Sequence, residues 1–258
     1  MARRLGKRKR PLREKHMLKE QRKVDTGIFD DQTMVYLSKF FNKGMIEELK
    51  FPIAKGKESD VYLATAGSAD AVKGKRYVIL KFFRVETSSF YNMADYIIGD
   101  TRFNRISKSK AEIVKIWCKK EFGNLHMARS QRVSAPEPYM FNGTILAMEF
   151  IGDEEGTPAE QLRKIYLDNA EQVLDQILEQ VKRLYKAGLV HADLSEYNIL
   201  IKDGKPFIID MGQSVVLKHP NAMMFLERDV GNILHYFAHK YMIERDFADA
   251  MERITAQK

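Results

Sequence analysis

Three oxygen-bearing side chains stand in a fixed order in the second half of the sequence. Asp193 is followed by Asn198 five residues later and by Asp210 seventeen residues later, and apolar segments flank them. The segments between Asn198 and Asp210 predict a hairpin that turns these two side chains toward each other. Their oxygens suit magnesium, a hard cation, and Asp193 can orient or accept the proton of an attacking hydroxyl. The alternative is a polar turn with incidental acids, but three ordered positions favour catalysis.

A lysine ends an apolar segment earlier in the chain. Lys81 closes the run V-I-L-K, where a strand has little structural need of a charge. Together with the first motif, this resembles the protein-kinase order of a phosphate-binding lysine, a catalytic Asp, an Asn and a metal-binding Asp. The resemblance implies a glutamate partner on the next helix, with Glu121 as first candidate and Glu112 as second. Taken alone, Lys81 fits a surface salt bridge equally well.

The turn between the first two predicted strands occupies the place of the kinase glycine-rich loop. It reads G-K-E-S-D-V-Y over residues 56–62 and contains a single glycine, Gly56. Gly56 matches the middle glycine of the kinase pattern, whereas Ala54 and Ser59 replace the outer two. As a general phosphate loop this is weak support, and by itself a plain hairpin turn explains it better.

Three motifs together, G-K-E-S-D-V-Y, H-A-D-L-S-E-Y-N and I-I-D-M-G, resemble those of the RIO family of atypical protein kinases, most closely its first-type subfamily. The segments A-P-E-P, H-P-N-A and F-L-E-R-D-V follow in the order that the family shows. The resemblance runs from about residue 51 to residue 241. It implies a serine/threonine kinase or ATPase that uses ATP with magnesium or manganese, with Asp193 as base, Asn198 and Asp210 as metal ligands, and Lys81 on the phosphates.

The same resemblance implies the remaining nucleotide-binding residues. Met148 is the expected gatekeeper, and the backbone of Glu149 and Ile151 is expected to hydrogen-bond adenine, because backbone groups present a donor and an acceptor at fixed spacing. Further residues are expected to enclose the ring or to cover the phosphates: Ile53, Val61, Ile79 and Leu200 around the ring, and Gly56, Lys57, Glu58 and Ser59 above the phosphates. Each apolar residue, taken singly, fits a plain core position better.

Periodicity predicts the elements that must position these residues. Apolar side chains at three- and four-residue steps predict helices, and apolar or β-branched runs between turn residues predict strands. The predicted helices cover residues 31–49, 109–125, 170–187, 222–240 and 244–257. The predicted strands cover residues 51–55, 61–65, 76–83, 139–142, 145–151, 189–191, 198–201 and 206–209, and the first three are expected to form an antiparallel sheet.

These elements predict an α+β, two-lobed, truncated protein-kinase-like fold with a β-rich N-lobe, a mainly helical C-lobe and an N-terminal helical extension. The expected division is a basic disordered tail at 1–23, the extension at 24–49, the N-lobe at 50–148 and the C-lobe at 149–258. A polar stretch at about 85–110 is expected to be a mobile insertion in the N-lobe. Ser107 and Ser109 in that stretch are candidates for self-phosphorylation.

Charge and composition limit the expected partners and cellular location of the protein. The net charge is +8, but residues 1–23 hold eleven Lys or Arg against Glu14 and Glu20, which gives +9 and leaves about −1 for the rest. Such a tail suits ribosomal RNA phosphates, although a solvated terminus explains it equally well. No apolar run approaches the roughly 20 residues of a membrane span. The single cysteine, Cys118, excludes an intrachain disulfide, so a cytoplasmic protein is expected.

Departures from ordinary kinases shape the expected function. Ala192 replaces the arginine of H-R-D, Ser195 stands in place of a common lysine, and the 48 residues after Asp210 contain no A-P-E segment. A phosphorylated activation loop and a peptide-docking subdomain are therefore not expected. The RIO resemblance implies maturation of the small ribosomal subunit precursor, through ATP hydrolysis or self-phosphorylation.

Two other functions fit parts of the same pattern. A small-molecule phosphotransferase also carries a histidine, an Asp and an Asn before an I-D-x-G strand, but is not expected to carry G-K-E-S-D-V-Y. A non-enzymatic ribosome-binding module with an inactive kinase fold is disfavoured because no catalytic residue is visibly missing.

Overall fold

The computed structural model describes residues 29–85, 96–103 and 109–256. The basic tail, Ser107 and most of the predicted insertion lie outside these ranges. The described part contains five α-helices: α1 Asp31–Asn42, α2 Lys110–Ser130, α3 Ala170–Lys186, α4 Ala222–Tyr241 and α5 Phe247–Thr255. It contains ten strands: β1 Ile46–Lys55, β2 Ser59–Ala66, β3 Tyr77–Phe83, β4 Pro138–Asn142, β5 Ile145–Glu149, β6 Glu160–Gln161, β7 Leu189–Val190, β8 Ile199–Lys202, β9 Lys205–Ile208 and β10 Val215–Val216.

One lobe is a five-stranded antiparallel sheet in the order β1-β2-β3-β5-β4. Helix α1 packs against it through Leu37 and Phe40, which are fully buried in a core shared with Tyr62, Leu80 and Ile145. Asp30 caps α1 by accepting a hydrogen bond from the N–H of Thr33 at 2.7 Å. The helix is therefore an integral layer of this lobe.

The other lobe is mainly helical and carries two small sheets. Helix α3 buries a stripe of apolar residues at helical spacing, and α4 and α5 pack beside it. The strands β6, β8 and β9 form a three-stranded sheet, and β7 pairs with β10. Gly188 follows the end of α3 with φ +79, a conformation that glycine adopts at low cost. The two-lobed α+β architecture that the sequence predicts is confirmed.

The first helix is shorter than predicted. Helix α1 ends at Asn42 instead of residue 49, and the chain is extended from Ile46 onward. Gly44 adopts φ +64, and a Cβ there would lie 2.7 Å from the hydroxyl oxygen of Ser68. Strand β1 is also irregular, with register shifts between Ile46 and Glu48 and again before Pro52, so its buried residues Ile46 and Leu49 are three apart. That spacing mimics a helix and explains the wrong boundary.

No helix in residues 29–85, 96–103 and 109–256 is long and apolar enough to cross a membrane.

Candidate active site

A buried ion pair joins the sheet to helix α2. The ammonium nitrogen of Lys81 on β3 donates to both carboxylate oxygens of Glu121 at 2.9 Å, and the two side chains are only 6% and 1% exposed. The same nitrogen donates to Oδ1 of Asp210 at 2.8 Å, and the Asp210 side chain is 52% exposed. Lys81 therefore holds one carboxylate inside the protein and one, Asp210 of the helical lobe, at the boundary between the two lobes, here called the cleft.

The surrounding charges determine the ionisation of these groups. Burial lowers the pKa of Lys81, but the carboxylates of Asp210 and Glu121 outweigh it and hold the pKa above its usual range. Burial raises the pKa of Glu121 to about 7, against the opposing effect of Lys81. For Asp210, burial acts to raise the pKa, but the charge and hydrogen bond of Lys81 lower it below the usual value. Lys81 and Asp210 are thus both charged at neutral pH.

The loop before β8 carries Asp193 and Asn198. The side-chain amide of Asn198 donates to the backbone oxygen of Asp193 at 2.9 Å and lies 3.4 Å from Oδ2 of its carboxylate. The N–H of Ile209 donates to the backbone oxygen of Asn198 at 2.9 Å, which joins the start of β8 to the residue preceding Asp210. Because the amide nitrogen of Asn198 is directed to Asp193, its oxygen is the atom suited to a metal ion.

Three carboxylates share the cleft with Lys81. Burial is the largest cause that raises the pKa of Asp193 and of Glu58, and the charge of Asp210 raises both further. Lys81 alone does not balance this negative charge, so the arrangement fits a divalent cation. Within the described residues, no group of three or more His, Cys, Asp or Glu side chains is arranged to hold a metal. A magnesium ion completed by water and phosphate oxygens needs only one or two carboxylates.

The glycine-poor turn forms a tight hairpin between β1 and β2. The N–H of Gly56 donates to the backbone oxygen of Ser59 at 2.9 Å, and the N–H of Arg84 donates to that of Glu58 at 2.9 Å. Lys57 lies exposed at the tip. Burial raises the pKa of Glu58, and the charges of Asp210 and Lys81 also act on it, so this turn lies near those two side chains.

The expected adenine residues occupy several positions around the sheet. Val61 pairs with Lys81, and Ile79 pairs with Met148, so these four side chains share one face of the antiparallel sheet. Ile53 lies at an irregularity of β1, between the pairs of Pro52 and Ala54. Leu200 lies on β8 in the three-stranded sheet of the helical lobe, opposite Phe207.

The segment after β5 restricts how a nucleotide base could be bound. The N–H of Glu149 donates to the backbone oxygen of Glu137 at 2.8 Å, and the backbone oxygen of Ile151 accepts from the N–H of Ala159 at 3.0 Å. The carbonyl of Glu149 and the N–H of Ile151 are therefore the groups suited to adenine.

Sequence reasoning did not identify the residue that supports the loop carrying Asp193. Asp229 on α4 is buried and accepts hydrogen bonds from the N–H groups of Ala192 at 2.7 Å and Leu194 at 2.9 Å. Its neighbour Arg228 donates to the backbone oxygen of Ala192. Ala192 has φ +65, a strained conformation for alanine. The available signal was an aspartate within the apolar helix segment F-L-E-R-D-V.

His191 links the two loops of the site. Its Nε2 lies 3.0 Å from the backbone oxygen of Ile209, and burial lowers its pKa. A neutral imidazole therefore ties the strand before Asp193 to the strand before Asp210. Its Nδ1 is buried and has no hydrogen-bond partner among the described residues.

Four features define the protein-kinase class: a sheet lobe, a helical lobe, a lysine–glutamate pair, and an Asp–Asn–Asp order at the cleft. A family model for the RIO domain matches residues 60–250. The RIO-type serine/threonine-protein kinase Rio1 of Haloferax volcanii is 39% identical over 219 residues, which cover 84% of this chain and 73% of that protein. The human serine/threonine-protein kinase RIO1 is 31% identical over 92% of this chain and 41% of its own length.

The chain belongs to the RIO family and is a RIO-type serine/threonine protein kinase. Among solved structures, the Rio2 kinase of Chaetomium thermophilum, described as an ADP/Mg²⁺-phosphoaspartate complex, matches with a TM-score of 0.66 and 23% identity. The match covers 86% of this chain and 66% of that one, and it supports the same fold.

Proposed function

We propose that this kinase uses ATP and magnesium at the cleft between its lobes to phosphorylate serine or threonine, including its own, or to hydrolyse ATP. The observation that carries the proposal is the triad in which Lys81 contacts both Glu121 and Asp210, beside the loop that holds Asp193 and Asn198. The ADP and Mg²⁺ of the Rio2 complex agree with the charges of this cleft.

Each residue has a distinct role in the proposal. Lys81, kept charged by two carboxylates, binds phosphate oxygens; Asn198 and Asp210 hold the metal through oxygen atoms. Magnesium neutralises charge that develops on the phosphates. Asp193 is accessible from solvent, but partial desolvation and the charge of Asp210 raise its pKa, which suits a carboxylate that accepts the proton of an attacking hydroxyl or water.

A second candidate reaction is phosphorylation of an aspartate of the chain itself. The Rio2 complex contains a phosphoaspartate. Here Asp210 is a better candidate than Asp193, because its pKa is lowered and its side chain is half exposed, so an ionised oxygen can act as nucleophile. An acyl phosphate at Asp210 would be released by hydroxylamine, whereas phosphoserine would not.

The proposed setting is the cytoplasm, with the small ribosomal subunit precursor as partner. The family resemblance and the +9 charge of residues 1–23 support an arm that binds ribosomal RNA. Ser109 is exposed at the N-cap of α2, a position where a phosphate interacts favourably with the helix dipole. We retain Ser107 and Ser109 as proposed sites of self-phosphorylation; phosphopeptide mapping that finds phosphate only elsewhere would reject them.

The test measures phosphate release and self-labelling from γ-labelled ATP with magnesium, with and without small ribosomal particles. The variants are Asp193→Asn and Asp210→Asn. Asp203→Asn serves as matched control, because Asp203 lies exposed at the β8–β9 turn with φ +51, which asparagine tolerates.

We expect native protein and the control to turn over ATP, and both cleft variants to lose at least ~100-fold in rate. For Asp193→Asn this is a typical size for removing a catalytic proton-transfer group. For Asp210→Asn it reflects the lost metal ligand, because metal stabilisation of transition-state charge is worth several kcal/mol. Stimulation by ribosomal particles would support the partner. If the native protein binds nucleotide but neither hydrolyses nor transfers phosphate under any condition, the enzymatic proposal is wrong and the binding-module alternative replaces it.

A further inference from the structure

Besides Lys81 of β3, a second lysine, Lys120 on helix α2, is buried. Lys120 donates to backbone carbonyl oxygens, whereas Lys81 donates to carboxylates. Lys120 is fully buried, and its ammonium nitrogen donates to the backbone oxygens of Gly212 at 2.8 Å and Ser214 at 2.5 Å. Lysine is rarely fully buried unless its donors are used. Both acceptors belong to the segment that follows Asp210.

Asn124 lies one turn farther along α2 and contacts the same segment. Its side-chain nitrogen donates to the backbone oxygens of Met211 at 2.7 Å and Ser214 at 3.0 Å. Together the two side chains, here termed the Lys120–Asn124 clamp, contact three carbonyl groups within the four residues after Asp210. A Cβ on Gly212 would lie 2.7 Å from the indole nitrogen of Trp117, so the segment also packs directly against α2.

The orientation of the Asn124 amide is fixed from its other side. Its oxygen accepts a hydrogen bond from Arg102 at 2.8 Å, and arginine has donors only, so the amide nitrogen must face the carbonyls. The guanidinium group of Arg102 in turn donates two hydrogen bonds to Asp100, at 2.9 and 2.6 Å. The segment 96–103 thus supports the clamp.

Asp210 itself has φ +61, a left-handed conformation that is uncommon for residues other than glycine, although aspartate adopts it more readily than most. We propose that Lys120 and Asn124 are positioning residues that impose it, and so set the Asp210 carboxylate for its metal ion. They act from the helix that also holds Lys81 through Glu121, so one rigid element places both the phosphate-binding and the metal-binding side chain. This inference rests on the proposed role of Asp210.

The test separates metal binding from nucleotide binding. ADP affinity is measured by calorimetry on the full chain with and without magnesium, for native protein, Lys120→Met and Asn124→Leu. Lys119→Met is the matched control, because Lys119 is the adjacent, exposed lysine of the same helix. Arg102→Lys is added because it keeps the charge beside Asp100, loses the planar fork that reaches Asn124, and leaves the core untouched.

For Lys120→Met and Asn124→Leu we expect metal-free ADP affinity within about twofold of native, and a magnesium-dependent gain in affinity reduced at least tenfold, equivalent to about 1.4 kcal/mol. Arg102→Lys should reduce that gain about threefold, and Lys119→Met should not change it. If magnesium increases the ADP affinity of the clamp variants as much as that of native protein, the inference is wrong. It is also wrong if the metal-free ADP affinity falls by as much as the magnesium-dependent gain. If Lys120→Met does not fold, Arg102→Lys decides by the same criterion. If native protein shows no magnesium gain, the role of Asp210 itself is wrong.

Discussion

Replacing Lys81 with methionine should destabilise the fold as well as abolish catalysis. Methionine preserves most of the side-chain volume but leaves Glu121, whose side chain is 1% exposed, without the cation that contacts both of its oxygens at 2.9 Å. Breaking a buried pair from one side typically costs about 3–5 kcal/mol, because the remaining carboxyl group must either stay charged without a partner or take up a proton. Asp210 loses the same contact but is 52% exposed, so water can replace it. Most of the loss should therefore come from Glu121.

The pH dependence follows from the same carboxyl group. The pKa of Glu121 is raised from 4.5 to about 7, so between these values the folded state binds more protons than the unfolded state. Stability from this group is present below pH 4.5 and is lost as the pH rises toward 7. Lys81 lowers the pKa of Glu121, so Lys81→Met raises that pKa further and extends to higher pH the range over which stability is lost. The variant should lose more stability at about pH 8 than at about pH 6.

A double-mutant cycle measures the pair directly. The variants are Lys81→Met, Glu121→Gln and their combination, followed by urea unfolding with the fluorescence of Trp117, the single tryptophan. We expect a coupling energy of about 3 kcal/mol. The control pair on the same helix is Lys115 and Glu112, in contact at 2.6 Å but 36% and 49% exposed, with an expected coupling of about 0.3–0.5 kcal/mol. Coupling at Lys81–Glu121 no larger than in the control would refute this reasoning.

Three further predictions test other contacts. Gly212→Ala should displace the indole of Trp117, shift its fluorescence and slow ATP turnover at least tenfold, whereas Gly231→Ala, with no neighbouring atom within 4 Å of the added Cβ, should leave both unchanged. Asp229→Ala leaves two buried N–H groups without acceptors, so urea unfolding should show a loss of about 2–6 kcal/mol; native stability would contradict this. Burial raises the pKa of the Cys118 thiol, so thiol reagents should label it only in urea, and rapid labelling of native protein would show the burial to be wrong.

Sequence patterns are sufficient for the fold wherever burial follows a regular period. The predicted helix at 170–187 agrees with α3 within one residue, because its apolar stripe keeps helical spacing throughout. Strand β1 overlaps a predicted helix because a register shift between Ile46 and Glu48 places its buried residues Ile46 and Leu49 three apart. Irregular strand pairing depends on the neighbouring strand, which lies outside the short segment of sequence from which an element is predicted.

The site shows the same division between local and distant information. Residue type and order are sufficient to propose Lys81, Asp193, Asn198 and Asp210 as site residues, but leave Glu121 and Glu112 as alternative partners of Lys81. The fold distinguishes them, since Glu112 pairs with Lys115 on the surface of α2. Asp229, Lys120 and Asn124 bind backbone atoms of loops more than 30 residues away, and a backbone partner leaves no residue pattern that would assign them this role, even though Asp229 stands out as a charge within F-L-E-R-D-V.

The two strained residues of the site explain why those distant contacts matter. Ala192 and Asp210 both have φ above +60, next to or at the proposed catalytic and metal-binding carboxylates, and neither is a glycine. Each is held by buried polar groups from a helix: Asp229 for the first loop, and Lys120 with Asn124 for the second. Ordinary kinases use the arginine before the catalytic Asp to sense a phosphorylated loop. Here that position is an alanine whose backbone is held by Asp229 and Arg228, so helix α4 of the helical lobe sets the geometry of this loop.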